Sequence, residues 1–572
     1  MGSRRMRLYA LLAALRVVGS VLLLGMVHPD EFFQSQEVMA THFVPKESAI
    51  WRELFVPWEF QLPMPNRSIL FPALVAGIPY KIFEVVGVEL TGWLMLVTPR
   101  LLLCLLSFII DVVLYTVVGK LSRDQKVEIK KEKQEKVLLL FASSWPTLVF
   151  LCRPFSNTFE TLVLALCFAV LFLVSPYRHV LGKVVHLQTF LLGSLLAVGF
   201  FTRFTFPVFF FPLGVELVRR QDALLVYAAR KKLGSSAPSG LRRLARVVVV
   251  AVQGLVAFLM WTLVFVVVDT LYFHPEVFAG DLNSSVVEKI AQNAVFAPLN
   301  NLMYNVQYDN LELHGVHPRF THLTVNMPML FGPVFLVFLV RFLRYPDRSF
   351  FGSACVFFPL VCLSLAPHQE PRFMLPALVP LHLFTALSGR AGVVRFLTTH
   401  KLGVLLWIVF NLALTLFFGM LHQGGVVPML LSLSAIATNP VENTATSWLT
   451  PMCRFDEVDS TTLGLIGAAP LIFAKTYMPP RFLLTGMTSS PAFQLIDLAG
   501  TNGDDLPQFL TENTVTTALL VLPASVELTD IIPEHSQFVS SKVGGCFPHI
   551  STEDLALDKP YSLELYMIRL GN

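Results

Sequence analysis

A series of long apolar runs, separated by short polar segments, constrains this chain more than any other feature, and the first run begins at Leu8. A run of about 20 apolar residues is typical of a transmembrane helix, since lipid offers the backbone no hydrogen-bond partners. Only 14% of the residues are charged and 54% are hydrophobic, whereas soluble domains carry roughly 25% charged residues. The chain is therefore predicted to be a polytopic α-helical membrane protein. Its small net charge of +4 comes from short loops, which argues against nucleic-acid binding.

Two strongly basic loops, at 120–136 and 219–246, orient the predicted helices. Loops rich in lysine and arginine stay in the cytoplasm, so the N-terminus is predicted to be cytoplasmic and the C-terminus to lie on the other side. The stretch 69–88 contains Pro72 and Pro79 and is predicted to be an interfacial or re-entrant helix. About eleven spans satisfy this orientation, at 8–27, 93–118, 137–151, 158–174, 187–202, 204–218, 247–271, 325–340, 351–366, 373–387 and 402–421.

The pattern changes near residue 440, where the long apolar runs end. Residues 1–439 are predicted to form the transmembrane module and 440–572 a small α/β domain on the non-cytoplasmic side. Within this domain, 518–522 and 562–570 have the composition and pattern of short strands.

Two kinds of covalent modification are predicted on the non-cytoplasmic side. The sequons that begin at Asn66 and Asn283 lie there, which fits a lumenal face and predicts glycosylation. Cys453 and Cys546 lie in polar surroundings far from any span, where a disulfide between them is permitted. No spacing rule requires that bond, so free thiols are the alternative.

The same orientation places every conspicuous polar cluster on one face of the membrane. A purely structural helical protein has no reason to collect them there, so the arrangement favours an enzyme that acts at the membrane surface. A transporter, the competing class, would need ionisable groups near the bilayer midplane and inverted repeats, and no repeat is visible. The clusters are HPDEFFQ at 28–34, CRPFSN at 152–157, TRF at 202–204, HQEPRF at 368–373 and HQGG at 422–425.

Asp30 and Glu31 have a structural and a catalytic interpretation. An acidic pair after Pro29 is an ordinary helix start, stabilised by the helix dipole. The same carboxylates at the end of a membrane anchor are suited to general-base catalysis on a lipid-borne substrate. Because adjacent helical residues point about 100° apart, only one faces a given atom. Asp30 is the predicted base, Glu31 would orient it or bind a hydroxyl, and His28 and Gln34 are candidate substrate-binding residues.

The distal cluster allows the same two interpretations. His368, Glu370 and Arg372 could form a solvated turn in which acid and base merely pair, or they could recognise an anion, because arginine presents a planar fork suited to phosphate. Arg203 interrupts an apolar stretch and is a functional candidate by default, although a hinge exposed to water would also explain it. His422, in a later polar cluster, is a further candidate for substrate binding.

The histidine-rich loop before the distal cluster does not predict a metal site. His314, His317 and His322 lie close together in sequence, but no acid accompanies them at ligand spacing. Histidines with other hydrogen-bond partners, or facing solvent, are the favoured interpretation.

Several segments together resemble the dolichyl-phosphate-mannose-dependent α-mannosyltransferases. They are HPDEFFQ, RS at 67–68 ahead of FP at 71–72, and HQEPRF. HQGGVVP at 422–428 and TYMPPR at 476–481 resemble the branch of that family that adds the fourth mannose to a glycosylphosphatidylinositol (GPI) precursor. The similarity spans nearly the whole chain, and the combination is more specific than HPDE alone, which the family shares widely.

This resemblance implies a GT-C glycosyltransferase fold with its active site on the lumenal face of the endoplasmic reticulum membrane. The implied reaction moves mannose from dolichyl-phosphate mannose to the third mannose of a GPI precursor, in α1,2 linkage and with inversion. Third-mannose GPI transferases and N-glycan-precursor mannosyltransferases are the alternatives within the family. A transporter or a non-catalytic homologue lies outside it. No cofactor is expected besides the lipid-linked donor, and dependence on a divalent metal is left open.

The resemblance also implies roles for particular residues. The family's acid in the first lumenal loop corresponds to Asp30, with Glu31 beside it, and its distal basic motif corresponds to His368 and Arg372. Asp30 would accept the proton of the attacking hydroxyl. The distal residues, together with Arg203, would stabilise the charge of the departing phosphate.

Overall fold

A computed structural model shows a large set of helices followed by a six-stranded sheet near the C-terminus. It describes residues 4–180, 185–233, 238–278, 286–312, 315–344, 350–387, 397, 400–438, 452–455, 464–487, 490, 493–498, 505–512, 515–532 and 537–571.

The helices range from single turns to long rods. The α-helices cover Arg4–Leu22, Asp30–Phe33, Gln36–Phe43, Ala49–Glu53, Leu70–Pro72, Ile78–Val86, Gly92–Leu121, Val127–Ala142, Trp145–Leu148, Ser156–Leu173, Leu187–Thr202, Phe206–Leu233, Gly240–Phe273, Val286–Gln292, Ala297–Val306, Tyr308–Glu312, Met327–Arg344, Phe350–Ser364, Leu378–Leu387, Lys401–Leu416, Val426–Thr438 and Asp505–Glu512. Short 3-10 turns cover Trp58–Phe60, Phe150–Cys152, Pro275–Phe278, Pro371–Ala377, Arg481–Leu484 and Leu528–Asp530. Single π-helical turns cover Ala73–Gly77, His322–Asn326 and Phe417–Leu421.

The described helices confirm a polytopic membrane protein. All eleven predicted spans overlap helices, and the stretch 69–88 is helical as well. Val426–Thr438, which sequence analysis did not predict as a span, is an apolar helix of 13 residues. Among the described residues, five helices are long and apolar enough to cross a membrane alone, namely Gly92–Leu121, Ser156–Leu173, Gly240–Phe273, His322–Arg344 and Lys401–Leu421. Val127–Ala142 and Trp145–Cys152, which meet at an angle of 64°, form either a sixth, broken span or a re-entrant loop.

The first helix ends at Leu22 rather than at the predicted residue 27. The chain leaves the helix because its next amides bond to another segment. The N–H of Gly25 donates to the carbonyl of Gly419 at 2.8 Å, and the N–H of Met26 donates to the carbonyl of His422 at 3.0 Å. Gly25 permits this approach, since a Cβ there would lie 2.8 Å from the carbonyl carbon of Gly419.

The C-terminal sheet combines parallel and antiparallel pairs. Leu471–Phe473 is parallel to both of its neighbours, and the remaining pairs are antiparallel. The helix Asp505–Glu512 lies before the last parallel strand and packs Leu506 and Leu510 against one face of the sheet. The predicted α/β character and both predicted strands are thereby confirmed. The strand order is Cys453–Phe455, Phe538–Cys546, Leu563–Leu570, Thr517–Pro523, Leu471–Phe473 and Leu495–Asp497.

The other face of the sheet packs against the helical part of the chain. One apolar cluster joins Leu519 of the sheet to Val427 and Phe482, and it continues into the segment that follows the first helix. Cys453 and Cys546 face each other across an antiparallel pair and form a disulfide. Because the sheet and the helices share one apolar core, the sheet domain is packed in a fixed position against the membrane module.

A buried ion pair joins the first helix to the helix Gly92–Leu121. The guanidinium of Arg16 donates to both carboxylate oxygens of Asp111, at 2.7 and 3.0 Å, and to Ser107 at 3.1 Å. Arg16 is 0% exposed and Asp111 is 1% exposed. Two parallel hydrogen bonds offset much of the desolvation of both charges, which explains how a membrane helix tolerates an arginine.

Removing one partner of this pair should destabilise the protein by about 3 to 5 kcal/mol, because Asp111→Asn leaves the Arg16 guanidinium buried without its counter-charge. Joint replacement, Arg16→Met with Asp111→Leu, should recover most of the loss. The folded fraction that survives heating in detergent, measured by size-exclusion chromatography, reports both effects. Equal instability of the single and the double variant would contradict this account.

Candidate active site

A cavity of about 630 Å³ lies where the segment after the first helix meets the membrane helices and the C-terminal sheet domain. Its lining brings together side chains that are far apart in sequence. Most of the predicted site residues belong to this lining, namely His28, Asp30, Arg203, His368, Glu370, Arg372 and His422.

Asp30 begins the short helix Asp30–Phe33, with Pro29 immediately before it, as predicted. The N–H of Asp30 donates to Nδ1 of His28 at 3.2 Å. The side-chain amide of Gln34 donates to Oδ2 of Asp30. These contacts fix the carboxylate, whose side chain is 24% exposed and lines the cavity.

Arg372 joins Asp30 to the distal motif. Its Nη1 donates to Oδ2 of Asp30. Its Nε and Nη2 donate to the two carboxylate oxygens of Glu370, with Nη2 at 2.8 Å. Nε2 of His368 lies 2.7 Å from Oε1 of the same carboxylate. The acid and base of the distal motif therefore pair with each other, and Arg372 also binds the predicted catalytic carboxylate.

These contacts set the protonation of the cluster. Burial works to raise the pKa of Asp30, but Arg372 and His28 outweigh it and hold that pKa well below its ordinary value. The pKa of Glu370 is likewise held well below its ordinary value, because Arg372 and His368 overcome the effect of burial. Burial works to lower the pKa of His368, yet Glu370 raises it above its ordinary 6.5. Both carboxylates are therefore ionised at neutral pH.

Arg203 reaches the cavity from the break between two helices. Its Nη1 donates to the hydroxyl of Ser156 at 3.2 Å, and its Nε lies 3.5 Å from a carboxylate oxygen of Glu160. The guanidinium carbon lies 5.0 Å from the ring centre of Phe373, and that of Arg372 lies 5.6 Å from the same ring. Two cations thus contact one aromatic ring beside the predicted base.

Gln34 lies behind Asp30 rather than in the cavity. It is 1% exposed, and its amide oxygen accepts a hydrogen bond from Ser156 at 3.2 Å. Since its amide nitrogen donates to Asp30, both ends of the side chain already have partners. The predicted substrate contact of Gln34 is therefore corrected to a positioning role.

Glu31 does not reach the cavity either. It is 0% exposed, and its Oε1 accepts from Nη2 of Arg100 at 2.8 Å and from Nη1 of Arg153 at 2.9 Å. Both guanidinium groups also donate to the carbonyl of Leu23, at 3.2 and 2.7 Å. A carboxylate buried among apolar groups needs such partners, so the side chain turns inward. The predicted hydroxyl contact of Glu31 is corrected to an internal ion cluster.

His422 and Tyr477 form one wall of the cavity. Nδ1 of His422 donates to the carbonyl of Met26 at 2.6 Å. The Tyr477 ring lies 5.2 Å from the His422 ring and 6.3 Å from the His28 ring. Burial raises the pKa of Tyr477 to about 12, so its hydroxyl stays protonated. The HQGG and TYMPPR segments, which are separate in sequence, therefore meet at the site.

Several cavity residues have little signal in the sequence. Trp58, Glu59, Asn301 and Tyr304 line the cavity, yet they lie in loops and short helices with no recognisable motif. The asparagine-rich segment NNLMYN at 300–305 is the one hint that the sequence offers. Tyr477 belongs to TYMPPR, a segment whose sequence indicates a family resemblance but no role at the site.

The structure argues against a glycan on Asn66. Asn66 is 5% exposed and Ser68 is 4% exposed. The Ser68 hydroxyl donates to a carboxylate oxygen of Asp269 at 2.8 Å. The sequon is therefore inaccessible in the folded chain, and the predicted glycosylation of Asn66 is corrected. Asn283 lies outside the described residues.

The histidine-rich loop is hydrogen-bonded to the distal motif and to the residue before it. The N–H of His317 donates to the carbonyl of Pro367 at 2.9 Å, and the N–H of His322 donates to the side-chain oxygen of Gln369, also at 2.9 Å. Across the described residues, no group of three or more His, Cys, Asp and Glu side chains is arranged to hold a metal ion. His314 lies outside them.

Comparison with known proteins gives this site a context. Residues 7–480 match the Alg9-like mannosyltransferase family. GPI alpha-1,2-mannosyltransferase 4 of Homo sapiens is 31% identical, over 98% of this chain and 93% of its own length. GPI mannosyltransferase 4 of Candida glabrata is 28% identical, over 92% of each chain. Among solved structures, ArnT from Cupriavidus metallidurans bound to undecaprenyl phosphate aligns over 99% of this chain and 98% of its own, with 10% identity and a TM-score of 0.48.

Neutralising Glu31 and neutralising Asp30 should have different effects on the stability of the fold. Glu31→Gln leaves Arg100 and Arg153 buried without their counter-charge and should destabilise the fold by about 3 kcal/mol or more. Asp30→Asn should leave the fold intact, because Arg372 keeps Glu370 as its partner. The yield of monodisperse protein and its thermal stability in detergent measure both effects. A stable, folded Glu31→Gln protein would contradict the internal role of Glu31.

Proposed function

The chain belongs to the Alg9-like mannosyltransferase family, and on that premise we propose that it transfers mannose from dolichyl-phosphate mannose to the third mannose of a GPI-anchor precursor. The new linkage is α1,2, and the reaction takes place at the lumenal face of the endoplasmic reticulum membrane. The observation that carries this proposal is the presence, in one cavity, of an ionised Asp30 and the guanidinium of Arg372 that contacts it. The names of the relatives support the choice of acceptor and linkage.

The stereochemistry of the reaction calls for one base. The donor carries mannose in β linkage and the product is α-linked, so a single displacement with inversion is sufficient. As the acceptor 2-hydroxyl attacks C1, its proton passes to a carboxylate. Asp30 has this role, since it lines the cavity, Gln34 donates to its carboxylate, and Nδ1 of His28 lies 3.5 Å from its Oδ1.

The departing group is a phosphate and needs charge stabilisation instead of an acid. Inverting glycosidases protonate a poor leaving group, whereas a dolichyl phosphate leaves as an anion. Arg372, Arg203 and His368 supply positive charge on the cavity wall. Cations that are already positioned cost little reorganisation as negative charge develops. No resident cofactor is needed in this scheme, because the lipid-linked donor brings the activated sugar.

Arg372 couples donor binding to the strength of the base. In the structure its fork is shared between Asp30 and Glu370. A donor phosphate competes for this fork, because guanidinium groups bind phosphate through two hydrogen bonds. Loss of the contact with Arg372 would raise the pKa of Asp30 towards its ordinary value. The carboxylate then becomes a better proton acceptor when the donor is in place.

The first test is direct transfer by the purified protein in lipid, with dolichyl-phosphate [³H]mannose and a trimannosyl GPI acceptor. Asp30→Asn should lower the rate by about 10²- to 10⁴-fold, the usual contribution of a general base. Asp124→Asn is the matched control, because that carboxylate is 91% exposed and has no role in the proposed reaction. Its rate should equal that of the unmodified protein.

Other outcomes of this assay separate the parts of the proposal. Transfer only to a dimannosyl GPI or to an N-glycan precursor would retain the mechanism and reject the acceptor. Near-normal activity of Asp30→Asn would remove Asp30 from the role of base. Absence of transfer to every acceptor would reject the proposed function.

Arg372→Lys keeps the positive charge but removes the fork. It should raise the KM for the donor and lower kcat, with a loss in kcat/KM on the order of tenfold or more, because lysine does not bind phosphate or two carboxylates in the same way. Initial rates over a range of donor concentrations measure the effect. Arg123→Lys, at a side chain that is 69% exposed, is the control. Kinetics like those of the unmodified protein would refute phosphate recognition by the fork.

A further inference from the structure

We propose that Trp58 and Tyr304, on the wall of the same cavity, form a platform that binds the inner sugars of the acceptor glycan. This inference rests on the proposed function and deepens it, since it names the part of the protein that selects the acceptor. Its ligand is an oligomannose chain, recognised by ring stacking and by flanking amide and charged groups.

The two rings lie against each other at a tilt and stay accessible. Their centroids lie 4.6 Å apart with the ring planes 35° from parallel, and both residues line the cavity. Trp58 is 42% exposed, whereas Trp145, which also lines the cavity, is fully buried. An exposed indole on the wall of a cavity offers a flat apolar face to a ligand. The C–H faces of a pyranose ring are suited to such a surface.

The platform is held in place by two segments that are far apart in sequence. Trp58 lies in a 3-10 turn, and Tyr304 lies in the helix Ala297–Val306. The side-chain amides of Asn300 and Asn301 donate to the backbone carbonyls of residues 65 and 66, each at 3.0 Å. These bonds join the helix to the loop that follows Trp58. The rings therefore need little ordering when a sugar binds, which lowers the entropic cost of association.

The groups around the platform favour a sugar over a lipid chain. Asn301, Asn305 and Glu59 line the same part of the cavity wall. These amide and carboxylate groups already have partners within the chain, but they make this part of the wall polar, which suits the hydroxyls of a sugar better than an isoprenyl chain. The donor brings only one mannose, next to its phosphate. The acceptor is the substrate that carries several sugars in a row.

A chain of hydrogen bonds connects the platform to the predicted base. Glu59, the neighbour of Trp58, accepts from Arg67 at 3.0 Å, and Arg67 donates to the Ser156 hydroxyl at 3.4 Å. Ser156 donates to Gln34 at 3.2 Å, and Gln34 donates to Asp30. The platform and Asp30 are therefore held by one hydrogen-bond network, which runs through the buried side chains of Ser156 and Gln34 beneath the cavity lining.

The test compares acceptors of different length. A trimannosyl GPI acceptor reaches the platform, whereas a short lipid-linked monomannoside presents a terminal mannose without inner sugars. Trp58→Ala and Tyr304→Ala should each lower the ratio of kcat/KM between the long and the short acceptor by about tenfold, which corresponds to about 1.4 kcal/mol. The KM for the donor should change by less than about twofold. The substitutions weaken binding of the acceptor equally in the ground state and the transition state, and they leave the donor site and the chemical step unchanged. Trp58→Phe keeps an aromatic face and should recover most of the ratio.

The controls distinguish this inference from a structural effect and from failure of the proposed function. Tyr177→Ala removes an aromatic ring that is 66% exposed and not part of the cavity lining, and it should leave the ratio unchanged. Binding of a trimannosyl GPI whose terminal mannose lacks the 2-hydroxyl, measured without donor, should weaken by a similar factor in Trp58→Ala. An unchanged ratio, or an equal loss with both acceptors, would overturn the platform. If the unmodified protein transfers mannose to no GPI acceptor, the proposed function itself is wrong, and this outcome is distinct from failure of the platform alone.

Discussion

Glu31, buried among apolar side chains, holds the guanidinium groups of Arg100 and Arg153, and both of these also bind the carbonyl of Leu23. Desolvating three charged groups is expensive, so the cluster is tolerated only with all of these contacts made. It joins the loop after the first helix to two other helical segments. The neighbouring Asp30 is positioned as a consequence. With Glu31 turned inward, a residue about 100° away on the same turn points to the cavity.

The cationic side chains of the cavity are held in place by ion pairs with carboxylates. Arg372 is shared by Asp30 and Glu370, and Arg67 is held by Glu59. An anionic donor that enters this site exchanges one set of charge-assisted hydrogen bonds for another. In the proposed reaction, such a site would bind the donor phosphate with little reorganisation and would link the protonation of Asp30 to the presence of the donor. The distal motif would then have two roles, because Arg372 contacts Asp30 as well as Glu370.

The fold and the centre of the site were largely predictable. Apolar run length predicted the helices, a short apolar stretch predicted the strand at 518–522, and alternation predicted the strand at 562–570. Asp30 and Arg372 were candidates because they lie in polar motifs that the orientation of the helices places on one face of the membrane, and the structure brings them together. The sequence did not reveal which side chains point into the cavity and which point into the protein interior. Glu31 and Gln34 belong to the same segment as Asp30, and only packing shows that they face the interior.

The sequence by itself determined the class of protein, the helical segments and the residue types that carry the chemistry, because hydrophobicity and local periodicity are properties of neighbouring residues. Only the tertiary structure decided which acid faces the cavity, that Arg372 contacts Asp30 across 342 positions of sequence, and that Trp58 and Tyr304 form one surface. These facts depend on long-range packing and on the cost of burying charge. Neither is encoded in any single stretch of the chain.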